Sequence, residues 1–275
     1  MKVAKALAQT AERLEAAGVE SPCVDAAILV AHVVGMRRSE LPLEPSRQLS
    51  ADEDDALEGL VARREAREPL AYVLGEWGFR RLTLLVDRRV LVPRAETEAV
   101  VERCLRRIAG LAEPRVLDVG TGSGAIALAI ADEHPGARVT GIDASAGALE
   151  VASANAHATG LHVELREWDL FVGLPEGPWE LVVSNPPYVL PEELDALQPE
   201  VREWEPEEAL IGVGATEAVA RGALDVLVAN GALALEVAGG DAARVATMLA
   251  ELGYVEVTTT KDLAGRDRVV EAVLP

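Results

Sequence analysis

Two short runs hold side chains suited to chemistry: DVGTGSG at 118–124 and SNPPY at 184–188. In the second run each proline fixes φ and lacks a backbone donor. The residue before each proline is pushed to extended geometry. The Asn185 side chain and the Pro186 carbonyl are therefore held rigidly as hydrogen-bond acceptors, with Pro187 stiffening the turn. Tyr188 adds a flat face for a planar group. The complement of this set is a planar –NH2 beside a π system. The amide of glutamine or asparagine fits, as does the exocyclic amine of adenine, cytosine or guanine. Such nitrogens are weak nucleophiles because their lone pair is delocalised. Accepting both N–H bonds draws charge onto the nitrogen and aims it, which is catalysis by orientation and electrostatics. No strong base is needed first, because the proton can leave after transfer.

The glycine run suits a cofactor. Glycines let the chain turn sharply and approach a ligand, and the following helix points free N–H groups into the turn. Asp143 lies 23 residues after Gly120, at the end of the next apolar run. An acid at about that distance in nucleotide-binding doubly wound folds accepts hydrogen bonds from ribose hydroxyls. The order G-T-G-S-G is not the dinucleotide fingerprint G-x-G-x-x-G. Asp118 just before the loop is also a poor neighbour for an anionic pyrophosphate and a reasonable one for a cationic sulfonium. Together these favour S-adenosylmethionine over a dinucleotide. Asp169, at the end of the third apolar run, either meets an adenine amino group or caps its own loop.

These residues need a frame. From residue 97 onward, apolar runs at 115–120, 137–143, 162–168, 180–185 and 231–237 alternate with helix-like runs at 124–133, 146–158, 191–197 and 215–229. That alternation predicts an α/β fold with a doubly wound parallel sheet. Both motifs then sit at strand C-termini, where such sheets bind ligands. Residues 254–274 read as a closing antiparallel hairpin. Residues 75–94 hold short β-like runs and predict a hairpin between two parts. The first 70 residues read as a small helical bundle. Gly18 and Gly35 end its first two helices, and Ser50 caps a third whose first turn is acidic and last turn basic.

Composition narrows the functions. The 275 residues are 49% hydrophobic but only 3% aromatic, so Ala, Val and Leu must build the core. Net charge is −20, of which −4 falls in residues 1–75 and −16 in the remainder. Affinity for nucleic acid comes largely from Lys and Arg meeting phosphates, so direct nucleic-acid binding is not expected, whereas a basic protein partner suits this balance. Cys23, Cys104 and the four histidines show no metal-ligand spacing, and no metal is expected. The N-terminus has a charged helical rhythm and resembles neither a signal peptide nor a membrane span. A cytoplasmic protein without a membrane partner is the expectation.

The chain resembles the HemK/PrmC protein-(glutamine-N5) methyltransferases over almost its whole length. The resemblance rests on DAAILVAH (25–32), EPLAYVLGEWGF (68–79), LVPRAETE (91–98), LDVGTGSGAIALA (117–129), SNPPYV (184–189), VREWEPEEAL (201–210) and DLAGRDRVV (262–270). It implies a class I S-adenosylmethionine-dependent methyltransferase domain (96–275), a β-hairpin linker (75–95) and a helical substrate-recognition domain (1–74). Gly120, Thr121, Gly122, Ser123 and Gly124 would cradle S-adenosylmethionine and Asp143 its ribose. Asp169, Leu170 and Asn185 would complete the cofactor contacts. Arg94, Glu96 and Thr97 would line the methionine end. Asn185, Pro186, Pro187 and Tyr188 would grip the substrate, with Asn185, Pro186 and Tyr188 catalytic. The implied partner is a peptide chain release factor, methylated on the glutamine of its GGQ loop. A ribosomal-protein glutamine and, less favoured, a nucleic-acid amino group are the alternatives. The chain departs from the family pattern at Ala95, where a proline is usual, at Arg80 in the hairpin, at Leu170, where some members carry tryptophan, and in EVAGGDAARV (236–245).

Overall fold

The computed structural model describes residues 1–275, which divide into two units. The first comprises Met1–Glu76 together with Leu197–Trp204. Its helices are α1 (Val3–Ala16), α2 (Pro22–Val34), α3 (Ala51–Glu65) and the short α4 (Leu70–Leu74). Val3, Leu14, Leu29, Val30, Leu57 and Val61 meet in one core. Gly35 ends α2 with φ of 64°, as a left-handed C-cap requires. Ser50 caps α3 through a reciprocal box: its Oγ accepts from Glu53 N, and Glu53 Oε2 accepts from Ser50 N.

The second unit, Trp77–Ala196 with Glu205–Pro275, begins within β1 (Glu76–Phe79), which pairs with β2 (Leu82–Leu85) in a two-stranded sheet. Arg80 turns this hairpin at φ of 50°. Its backbone N–H donates to Glu98 Oε1 and its guanidinium to the Glu98 carbonyl, which offsets the left-handed strain. Phe79 and Leu84 are buried in the unit's core. Next come α5 (Thr97–Ile108), β3 (Arg115–Val119), α6 (Ala125–Glu133), β4 (Arg138–Asp143), α7 (Ala146–Thr159), β5 (Glu164–Glu167) and β6 (Trp179–Ser184). The chain then enters the first unit at α8 (Pro199–Arg202) and comes back through α9 (Ala215–Val226), β7 (Leu227–Glu236), α10 (Ala242–Glu251), β8 (Val255–Lys261) and β9 (Asp267–Val273). Residues 191–196, inside a run read as helix, form only a 3₁₀ turn begun by Pro191. The crossover from β6 to β7 is carried by α9.

The main sheet runs β5-β4-β3-β6-β7-β9-β8. Its first five strands are parallel, and β9 is antiparallel to both neighbours. The doubly wound α/β fold with a C-terminal antiparallel hairpin is therefore present as expected. Central strands are buried on both faces, as parallel strands must be. Val116, Leu181, Val183 and Ala234 face α5 and α6, whereas Leu117, Val182, Leu233 and Leu235 face the layer of α9 and α10. No helix is long and apolar enough to cross a membrane.

Candidate active site

Strand order reverses between β3 and β6, and their C-terminal ends lie side by side. Val119 pairs with Ser184, and the Ser184 hydroxyl donates to the Val119 carbonyl at 2.7 Å. Ser184 also pairs with Leu235 of β7. Gly120, Asn185 and Glu236 thus follow one another along the sheet edge, although 116 positions separate the first from the last. A crevice at such a switch point is where doubly wound sheets bind ligands.

Local sequence shapes the glycine loop. Gly120, Gly122 and Gly124 have φ of 73°, 55° and 81°, a region costly for other residues. A Cβ at Gly120 or Gly122 would meet open space, so glycine is required there by conformation. The N–H groups of Gly120 and Thr121 both donate to the Ile142 carbonyl at 2.9 Å. Asp143 Oδ2 accepts from Gly122 N at 2.8 Å, and Oδ1 from Ser145 N at 2.9 Å. Burial raises the Asp143 carboxyl above its ordinary value, and these backbone donors oppose the rise. Asn155, an amide inside an alanine-rich helix, supports the loop from below. It exchanges hydrogen bonds with both backbone groups of Leu85 and donates to the Ser123 carbonyl.

A cavity of about 630 Å³ opens over these ends, within the usual range for small-molecule sites. Gly120, Thr121, Gly122, Ser123, Asp143, Asp169, Leu170, Asn185 and Pro187 are on its wall. Gly124 is not; it is the N-cap of α6. Pro186 is buried and Tyr188 half-buried, and neither is on that wall. Asp169 caps its own loop, Oδ1 accepting from Phe171 N at 2.9 Å, and it is also on the cavity wall. A bridge between Val189 and Ile211 clamps the NPPY segment. Gly212 is so close that a Cβ there would stand 2.3 Å from Pro187 Cγ.

Two expectations change. Asp118 does not face the cavity. Its Oδ2 accepts from the Thr121 hydroxyl at 2.7 Å and from Ala127 N at 3.2 Å, in the first turn of α6. The free N–H groups of that turn draw the carboxylate behind the loop, and burial pushes it up to about 7. Of the PRAETE residues, Arg94 and Thr97 line the cavity, but Glu96 does not. Glu96 is paired with Arg266 at 2.7 Å. Arg94 holds the buried Glu205 at 2.6 Å.

One buried carboxyl at the same sheet edge escaped the sequence reading. Glu236, only 1% exposed, ends β7, and the Thr97 hydroxyl favours its ionised form. Its Oε2 has no partner. Burial pushes the carboxyl up to about 7, opposed by the Thr97 bond and by Arg268. Thr97 Oγ1 also meets Asn185 Nδ2 at 3.5 Å. The available signal was a lone charge at the end of the apolar run GALALEV.

The wall fits an adenosine-type cofactor. Open glycine positions leave room against the loop, and Asp143 presents an acceptor at its edge. The Thermus thermophilus 16S rRNA N2 G1207 methyltransferase, solved with AdoMet and guanosine, shares the fold: TM-score 0.53, 18% identity, covering 73% of this chain and 50% of that one. Residues 97–201 match the family described as methyltransferase small domain, and residues 5–75 the one described as PrmC N-terminal domain. Fold and site thus define an S-adenosylmethionine-dependent methyltransferase of the doubly wound α/β class. The release factor glutamine methyltransferase of Caulobacter vibrioides is 38% identical over 99% of this chain and 96% of its own. That of Geobacter sulfurreducens is 40% identical over 98% and 95%, and that of Deinococcus radiodurans 40% over 99% and 98%. The chain belongs to the release factor glutamine methyltransferase family.

Proposed function

We propose that this enzyme methylates the side-chain amide nitrogen of the glutamine in the GGQ loop of peptide chain release factors. The observation that carries the reading is the pairing of Val119 with Ser184, which sets the NPPY amide beside the glycine loop over one cavity. S-adenosylmethionine, when bound, supplies a methyl group on a positively charged sulfur. Gly120, Thr121, Gly122 and Ser123 would shape its cradle, with Gly124 starting α6 behind them, Asp143 would accept from its ribose, and Asp169 and Leu170 would flank its adenine. Asn185 stands between this cradle and the substrate. Its Oδ1 and the Pro186 carbonyl accept the two N–H groups of the glutamine amide, leaving the nitrogen lone pair directed into the cavity. This polarisation counters amide resonance as the new bond forms. Pro187 and Gly212 keep the acceptors from turning, and Tyr188 packs beside the planar group. The displaced N–H proton passes to solvent after transfer. We infer that the first unit, whose residues 5–75 match the PrmC N-terminal domain family, holds the protein substrate.

Transfer of labelled methyl tests the reading. Intact release factor, the same factor with its GGQ glutamine replaced, ribosomal proteins and duplex DNA are offered in parallel. Label on intact release factor alone, lost with the glutamine, is expected. Label on a ribosomal protein would move the substrate, and label on DNA would overturn the proposal.

A further inference from the structure

Glu236 is a buried carboxyl to which the mechanism above gives no task. It closes β7 one step beyond the Ser184–Leu235 pair, beside the strand end that bears Asn185. Thr97, the first residue of α5, stands between the two: its hydroxyl favours the ionised Glu236 carboxyl on one side and meets Asn185 Nδ2 at 3.5 Å on the other. A threonine hydroxyl has one proton to give and two lone pairs to accept with. An ionised carboxylate can only accept. Thr97 must therefore spend its proton on Glu236, and it then has only lone pairs to offer Asn185. The Asn185 amide must turn its NH2 toward Thr97, and its Oδ1 is left for the cavity.

We propose that Glu236 is the positioning residue that orients the Asn185 side-chain amide, acting through the Thr97 hydroxyl. The proposal rests on the reading of Asn185 as the substrate's acceptor. With Glu236 ionised, Oδ1 meets the glutamine N–H and the site is competent. With Glu236 protonated, its own O–H can donate to Thr97. The Thr97 proton is then free to bond Asn185 Oδ1, which turns the NH2 toward the substrate's own NH2, donor against donor.

The surroundings place this switch near neutrality. Arg268 on β9 and Arg94 before α5 favour the ionised form, Glu96 opposes it, and Tyr188 faces it from the loop after β6. The Arg268 guanidinium is itself shared, donating to the Val237 carbonyl and lying 3.7 Å from Asp262. Burial outweighs both arginines and holds the carboxyl at about 7.

The test is the pH profile of kcat at saturating cofactor and release factor. Wild-type kcat is expected to fall about tenfold between pH 8 and pH 6, as a single essential ionisation near neutrality dictates. Glu236→Gln, whose amide can donate to Thr97 at any pH, is expected to have kcat lowered about tenfold at pH 8 and to lose the acidic limb. Its cofactor Kd should stay within about twofold of wild type. Thr97→Ser, which keeps the hydroxyl, is expected to retain the limb, and Thr97→Val to lose it. These two variants decide the matter should Glu236→Gln not fold. A readout independent of turnover is the Asn185 side-chain amide resonance in the free protein. It should titrate with Glu236 in wild type and stay constant in Glu236→Gln. A wild-type profile without an acidic limb, or a limb that survives in Glu236→Gln or Thr97→Val, would overturn the proposal. Asn185→Ala separates the two levels. If it is inactive while Glu236→Gln keeps the limb, the orienting role alone falls. If Asn185→Ala turns over normally, the underlying reading falls with it.

Discussion

The Gly122 N–H donates to Asp143 Oδ2 at 2.8 Å while the other oxygen of the same carboxylate accepts from Ser145 N. One side chain thus ties the glycine loop to the start of α7 and presents its remaining lone pairs to the cavity. Hydrogen bonds to charged groups are worth about 1.5–3 kcal/mol each. Asp143→Ala is expected to weaken S-adenosylmethionine binding by about ten- to a hundredfold, measured by calorimetry. Asp143→Asn, with one acceptor left, should lose less. Unchanged affinity in the alanine variant would remove Asp143 from the site.

Asn185→Ala should act on turnover and spare the cradle. Removing one preorganised hydrogen-bonding group from an active site typically costs about 10²–10³ in kcat. A fall of that size is expected in single-turnover methyl transfer, with cofactor Kd little changed. Parallel loss of both would make Asn185 a structural residue.

Two glycines separate the halves of the site. A Cβ at Gly141 would stand 2.7 Å from Thr121 Oγ1, the hydroxyl bonded to Asp118. Gly141→Ala must push Thr121 away, so cofactor affinity is expected to fall, with about 1–3 kcal/mol of stability lost to overpacking. A Cβ at Gly212 would instead strike Pro187. Gly212→Ala should lower kcat more than it weakens cofactor binding. Titration and kinetics on both variants check the contrast, and identical profiles would contradict it.

Asp118 makes stability fall as pH rises. Its folded pKa is raised from 3.8 to about 7, so between these values the native state holds a proton the unfolded chain has lost. Stability then declines with pH across that window. The penalty is absent below the unfolded value and complete above the folded one. Glu236 adds a decline of the same sign, from 4.5 to about 7. Chemical denaturation from pH 4 to pH 8 should show a shallower decline for Asp118→Asn than for wild type. Equal slopes would mean that Asp118 is ionised at little cost.

Arg64 joins distant parts of the first unit. Its guanidinium meets Asp25 at 2.8 Å and Glu200 at 2.8 Å, with its side chain only 6% exposed. Arg64→Met would leave two carboxylates with one cation, Arg67, on Glu200 alone. Breaking a buried pair from one side costs about 3–5 kcal/mol, and a loss of that order is expected in urea denaturation. A neutral effect would show that water reaches both acids.

Local patterns made much of this protein legible. The alternation of apolar and helical runs is a period that sequence displays directly, and it specified the parallel sheet. Glycines at 120, 122 and 124 permit the positive φ of a tight turn and the two prolines of NPPY fix their own φ, so both loops are legible at strand ends from sequence alone. What lay outside that reach depends on which strands become neighbours and on where a side chain finds a partner. Asp118 looked like a cavity residue, but the free N–H groups of α6 drew it behind the loop. Leu197–Trp204 followed a methyltransferase strand in sequence, but Glu200 found Arg64 and Arg67 of the first unit. Glu236 carries no local signal of its surroundings, because sheet order sets β7 beside β6 and α5 brings Thr97 to Asn185. Sequence by itself determined the strands of the main sheet, several of the helices and the two loops, because each obeys short-range periodicity or a residue's own backbone limits. Tertiary structure alone decided which carboxylates face the cavity and which brace it, because that follows from burial and hydrogen-bond partners supplied by distant parts of the chain.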